Sequence, residues 1–206
     1  MESWMNVDEE LAKAVEAKKF ASTHVHPNWI KLLVDGTVES GTGLIRPKYP
    51  DGHQGIPNWT EKELTSITRK ANNKGLTMHI HAMGNLGVNR VINTYINGGK
   101  DEMRNTLVHV RNVFPEDYKR MAKHNIQVAA GMSWHHVYDD GQKMMSKLLP
   151  EGMNKTGYPM KSFFDYGIKM SSHSNYPALC GSPDDQFGIM EIAVTGVYYP
   201  EHAKQW

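Results

Sequence analysis

The sequence predicts an α/β fold built on a parallel sheet, and three observations carry that expectation. Strand-like and helix-like segments alternate about five times along 206 residues. The helix-like segments bring their own start and stop residues. The histidines gather where strands are predicted to end, the edge at which parallel α/β sheets collect functional side chains. With 39% hydrophobic and 22% charged residues, the whole of 1–206 reads as a single globular domain.

Taken in order, residues 6–20 place Leu11, Ala14, Val15 and Ala17 among charges, with acids early and lysines late, which predicts an amphipathic surface helix. Ser22-Thr-His-Val-His-Pro27 is a His-x-His pair, but Pro27 cannot join a strand ladder, so His24 and His26 are weak ligand candidates. Trp29-Ile-Lys-Leu-Leu-Val34 has the composition of a buried strand, closed by Asp35-Gly36. The Gly- and Pro-rich stretch 36–58 predicts a long loop, and loops of that length in compact domains are usually functional.

Residues 60–74 open with Thr60 and Glu63 in capping-box spacing and place Leu64, Ile67 and Ala71 on one helical face before Gly75. A strand over 76–83 follows, then a helix over 86–96 closed by Gly98-Gly99, then a strand over 105–110. Pro115 at the first helical position, with Glu116 and Asp117 behind it, predicts a helix to Lys123, followed by a strand over 126–132. Trp134-His135-His136 is expected in a loop, and 138–159 gives no clear signal. A short helix ending at Tyr166 and Gly167, a strand over 168–172, and a helix over 184–197 close the chain.

Composition excludes several function classes. A formal net charge of +1 supplies no field for nucleic acid, so a small-molecule substrate is the expected partner. No apolar run reaches the roughly 18 residues of a membrane span, and the N-terminus lacks the basic and apolar regions of a signal peptide. The single Cys180 rules out an internal disulfide, which accords with a reducing cytoplasm.

Chemistry concentrates in Leu76-Thr-Met-His-Ile-His-Ala-Met-Gly-Asn85. In a strand His79 and His81 share a face, which is what a metal site on a βα unit needs; a hydrogen-bonded core imidazole is the alternative for either. Lys31 sits among apolar neighbours, so its ammonium must be paired, neutral, modified or led out to water at the strand end. His109, His135, His136 and His173 fall at or past other predicted strand ends, so one face would collect most of the eleven histidines.

Several of these segments, in this order, resemble amidohydrolase family 3, which includes the N-substituted formamide deformylase-like hydrolases. They are residues 30–38, 75–84, 104–110 and 113–117, with 188–195 near the end. The resemblance implies a (β/α)₈ TIM-type barrel with divalent metal at its C-terminal face, this chain covering strands four to eight. It implies that Lys31 is the fourth-strand lysine, which can bridge metals when carboxylated, and that His81 and His109 are the fifth- and sixth-strand ligands. The family's first-strand His-x-His would precede residue 1. Ser172-His173-Ser-Asn-Tyr-Pro177 stands where the family has Ser-Asp-x-Pro, so an imidazole replaces the aspartate that handles the attacking water's proton. Asn85 and Val108 also depart from the usual Gly-Asp and Glu-His.

The expected function is therefore metal-dependent hydrolysis of a C–N bond, with zinc the first choice of ion, Lys31, His79, His81 and His109 as metal residues, and His173 as the proton-handling group. Weakened activity is expected from the two missing parts. The alternatives are a non-catalytic metal-binding or self-assembling barrel fragment and a metal-free hydrolase using Ser172 and His173. Self-association, or completion by a missing barrel half, is expected from the open edges that five of eight strands leave.

Overall fold

A computed structural model of the chain describes residues 6–135, 139–173, 175 and 186–196. Helix α1 (Val7–Ala17) is N-capped by Asn6, whose side chain accepts from the Glu9 amide, and it runs into a 3₁₀ turn at Lys18–Phe20. Then follow β1 (Trp29–Leu33), α2 (Glu61–Asn73), β2 (Thr77–Ala82), α3 (Asn85–Gly98), β3 (Thr106–His109), α4 (Pro115–Lys123) and β4 (Gln127–Ala130). A 3₁₀ turn at Met132–His135, α5 (Asp139–Leu148), a second turn at Met153–Thr156, α6 (Met160–Asp165), β5 (Met170–Ser172) and α7 (Gln186–Thr195) complete it. His136, Cys180 and Pro177, singled out by the sequence, lie outside the described residues.

The five strands are all parallel and stand in chain order, β1-β2-β3-β4-β5. Sequential order with a constant crossover hand sends the connecting helices α2, α3, α4 and α6 to the same side. The core follows that winding: Leu32, Met78, Ile80, Leu107 and Val128 from the sheet pack on Leu64, Ile67, Val88, Val91, Ile92, Tyr118, Met121 and Phe163 from the helices. The opposite face is open, and Trp29 and Leu33 on it are 37% and 47% exposed. The first strand is thus not buried on both sides, as its apolar composition predicts; half of its side chains wait on a face that nothing in the described residues covers.

Local signals fix most boundaries. The Thr60–Glu63 capping box forms, with the Glu63 carboxylate accepting from the Thr60 amide at 2.8 Å. At the end of α3 the sequence expectation needs correcting. Gly98 is still helical and Gly99 is extended rather than left-handed. What requires a glycine at 98 is close packing of α3 on α2, since a Cβ there would lie 2.4 Å from the Thr65 carbonyl oxygen. Among the described residues no helix is long and apolar enough to cross a membrane.

Candidate functional site

Strand register sorts the candidate residues into two layers on the open face. Lys31, His79, Thr106 and Gln127 are cross-strand partners in the lower layer. Leu33, His81, Val108, Ala129 and Ser171 form the layer above, nearer the C-terminal edge. Lys31 and His79 are therefore mid-strand, two and three residues short of their strand ends, and the sequence expectation of a strand-end lysine is corrected. The Lys31 side chain is exposed to the open face and has no ion-pair partner among the described residues, while partial burial lowers its pKa.

His109 reaches this face by a different route. Its register partners Ala82 and Ala130 belong to the helix-side core, so strand alternation alone would turn its ring away. Instead His109 has φ 73° and Val110 φ 49°, two left-handed residues in succession. Non-glycine residues there cost about 1–2 kcal/mol each, and a β-branched one is a genuine outlier. The reversal brings the His109 ring to 4.6 Å from that of His81 and 4.8 Å from that of His173, centroid to centroid, both edge-on. His173 follows β5, its amide bonded to the Ala130 carbonyl at 3.2 Å.

All these imidazoles are held neutral. Burial is the first cause throughout: it pushes His79 down to about 4, with help from the Lys31 charge, and His109 down to about 3, with help from His81 and His173. His81 and His173 are lowered in the same way. His81 Nε2 lies 3.0 Å from the Gly36 carbonyl oxygen, which can only accept, so Nε2 carries the proton and Nδ1 keeps the ring's lone pair. His173 Nε2 is buried without a hydrogen-bond partner among the described residues.

Behind His81 is a residue that sequence reading missed. Asp35, treated there only as the end of a strand, is fully buried and accepts three backbone N–H bonds, from Leu44 at 2.8 Å, Met83 at 3.0 Å and Gly84 at 3.1 Å. Its Oδ1 is 3.7 Å from His81 Nε2. The start of α3 closes over it, since a Cβ on Gly87 would fall 2.5 Å from Oδ2. Desolvation pushes its pKa up to about 6, against the pull of the three amides. One side chain thus ties the ends of β1 and β2, the 36–58 loop and α3 together beneath the imidazoles. Asn85 grips the same loop by accepting from the Arg46 amide and donating to the Arg46 carbonyl.

A cavity of about 320 Å³ opens above His81 and His109, lined also by Thr37, Glu39, Met83, Trp134, Tyr158 and Asn175. A larger cavity of about 620 Å³ lies along the open face below, over His79, Arg104, Gln127, Lys169 and His173. His24 and His26 are exposed on the 21–28 loop. His135 lies near the Tyr158 ring, at 6.4 Å between centroids. The donor chemistry suits a divalent ion, because neutral imidazoles with one buried, unsatisfied nitrogen are what such an ion takes. The fit is that of a partial shell: among the described residues no three His, Cys, Asp or Glu side chains form a group that could hold a metal ion.

Residues 3–196 match the Amidohydrolase family. The chain belongs to this family. Among its relatives, YtcJ of Bacillus subtilis (strain 168) is 25% identical over 165 residues, which is 79% of this chain and 31% of that protein. Protein LONG AFTER FAR-RED 3 of Arabidopsis thaliana is 24% identical over 155 residues, 72% of this chain and 26% of the relative. The chain therefore spans about a third or less of the length of these curated relatives. An uncharacterized metal-dependent hydrolase from Pyrococcus furiosus superposes with a TM-score of 0.76 at 20% identity, over 95% of this chain and 42% of that one. A second from Pyrococcus horikoshii OT3 gives 0.66 at 18% identity, over 80% and 34%. The five-stranded sheet is thus part of an amidohydrolase barrel, and its open face is the side that a closed barrel turns inward.

Proposed function

We propose that this amidohydrolase chain carries the imidazole side of a metal site for hydrolysis of C–N bonds, and that by itself it hydrolyses amides poorly. The observation that carries the reading is the run of neutral rings His81, His109 and His173 at the C-terminal edge of a parallel sheet, kept in contact by two left-handed residues. His81 through Nδ1 and His109 would hold the ion, with Lys31 and His79 one layer below and His173 beside them. A divalent ion there, zinc first, would supply Lewis acidity toward an amide carbonyl. The cavity above would seat a small substrate against Met83, Trp134 and Tyr158. His173 would accept the proton and return it to the leaving amine at Nε2, but burial lowers its pKa and makes it a weaker base than an ordinary histidine. Where the resembling family has a carboxylate, that weaker base is the main reason for poor turnover.

A second reading, a non-catalytic metal-binding or self-assembling barrel portion, is favoured by the incomplete ligand group among the described residues and by the exposure of Trp29 and Leu33. Zinc-loaded wild type and His173→Asp, assayed against N-formyl and N-acyl amines, separate the two. Weak turnover that a chelator abolishes and that the aspartate variant raises supports the hydrolase. Absence of turnover in both proteins supports the second reading, and robust wild-type turnover contradicts the claim of weakness.

A further inference from the structure

We propose that the larger cavity, on the lower part of the open face, binds small organic anions, with Arg104, Gln127 and Lys169 holding a carboxylate or phosphate group and Trp29 supporting an apolar body beside it. The inference goes beyond the functional reading above and does not rest on it. Strand register builds the cradle. Gln127 pairs with Thr106 across β3 and β4, and the Val128 amide donates to the Lys169 carbonyl, which sets Lys169 beside Gln127 in the lower layer. Arg104 precedes Thr106 by two residues, so alternation turns it to the same face. Three neighbouring strands thus send a guanidinium, an amide and an ammonium into one cavity of about 620 Å³, a volume typical of small-molecule sites. Neighbouring strands stand about 4.8 Å apart, so both long cationic side chains reach a group seated over Gln127. The Arg104 guanidinium lies over the Trp29 ring, 5.8 Å from its centroid, and His79 meets that ring edge-on at 5.3 Å. A guanidinium stacked in this way keeps its N–H edge for a bidentate acceptor, and the indole supplies a flat wall for the rest of the ligand.

The competing explanation is that Arg104 and Lys169 are ordinary solvated cations. Their surroundings argue against it. On the exposed helices Lys13, Lys70 and Lys161 lie beside acids, with Glu9 at 2.9 Å, Asp8 at 2.7 Å and Asp165 at 2.6 Å respectively. Arg104 and Lys169 form no ion pair among the described residues, and none of the described residues lining their cavity is an acid. Like charges gathered in a concave, partly apolar wall add their fields instead of being screened singly, which draws anions in. The lining histidines do not decide the sign of that field. A protonated ring at His79 or His173, or a metal ion at the site above, would only add positive charge to it.

The test is an NMR titration of the intact chain, stripped of metal and dialysed free of chelator, with three probes: phenyl phosphate, phenylacetate and the neutral phenol. Wild type should bind the two anions about tenfold more tightly than phenol, as a charge-assisted bidentate contact aided by a second cation allows. The Trp29 indole and Gln127 side-chain amide signals should shift with them. Arg104→Gln and Lys169→Gln should each weaken the anions several-fold and leave phenol unchanged, the double variant should erase the preference, and Lys169→Arg, which keeps the charge, should retain it. Equal binding of the three probes by wild type, a preference unchanged in the double variant, or shifts that map away from Trp29 and Gln127 would each overturn the proposal. Should the variants fail to fold, loss of the wild-type preference as salt is raised supports the charge assignment, and a salt-independent preference refutes it. A preference for anions that appears only after zinc is restored would place them on the metal and overturn the assignment to Arg104 and Lys169. Displacement of phenyl phosphate by far lower concentrations of a triglutamate peptide would assign the cavity to an acidic polypeptide segment and overturn the claim of a small ligand.

Discussion

Replacing Asp35 by alanine tests whether one buried carboxylate organises the C-terminal edge. The substitution strips the acceptor from the amides of Leu44, Met83 and Gly84, all buried. An unsatisfied buried donor costs about 1–3 kcal/mol, so three cost about 6 kcal/mol before relaxation. Against this, wild type carries an ionised carboxyl whose pKa has risen from 3.8 to about 6, a penalty of about 3 kcal/mol at neutral pH that alanine removes. The net loss at pH 7.5 is therefore about 3 kcal/mol, a large part of the 5–15 kcal/mol by which domains are usually stable. The sign of the pH dependence follows from the raised pKa. Wild-type Asp35 binds its proton more tightly folded than unfolded, so its ionisation penalty is present above about 6 and fades as pH falls toward 3.8. The difference between wild type and Asp35→Ala should thus be larger at pH 5 than at pH 7.5. Urea unfolding at the two pH values measures it. A loss under about 1 kcal/mol at both, or a smaller loss at pH 5, would refute the account of Asp35.

Three further outcomes are expected. In chelator-treated protein, stability should fall as pH drops from 6.5 toward 4, because His79 and His109 have folded pKa values of about 4 and about 3, below the ordinary 6.5, and folding with neutral rings is lost as they protonate; urea midpoints that rise steadily over that interval would contradict the neutral cluster. The open sheet face with exposed Trp29 and Leu33, and the edges of β1 and β5 that no strand among the described residues pairs, should make the chain self-associate at micromolar concentration; a well-behaved monomer in sedimentation velocity would speak against that. His109→Gly, which relieves the left-handed backbone, should lower zinc retention while costing less stability than His109→Ala; equal unfolding midpoints for the two variants would show that the φ of 73° is not strained.

The legible parts of the fold were those with local physical signatures. Pro115 and its following acids gave α4 its observed bounds, and Thr60 with Glu63 located the start of α2. The alternation of elements gave the parallel sheet, and His-x-His at 79 and 81 placed two rings on one face. Position along the strand was less legible. Lys31 reads as a strand-end residue until the register shows it level with His79, a layer below His81. Asp35 was invisible because its role depends on amides from residues 44, 83 and 84, contacts that exist only after folding. His109 was found for its place at a strand's end, yet alternation assigns it to the wrong side. The reversal at 109 and 110 is tertiary in origin, because neither histidine nor valine announces a left-handed backbone.

The central claim is that His81 and His109 belong to one metal site on the C-terminal edge. Zinc content after equilibrium dialysis, measured by inductively coupled plasma mass spectrometry, tests it most directly. Wild type should retain zinc, His81→Ala and His109→Ala should each lose most of it, and His24→Ala, altered on an exposed loop, should match wild type. Unchanged zinc in both the His81 and His109 variants, or a large loss in His24→Ala, would contradict the claim.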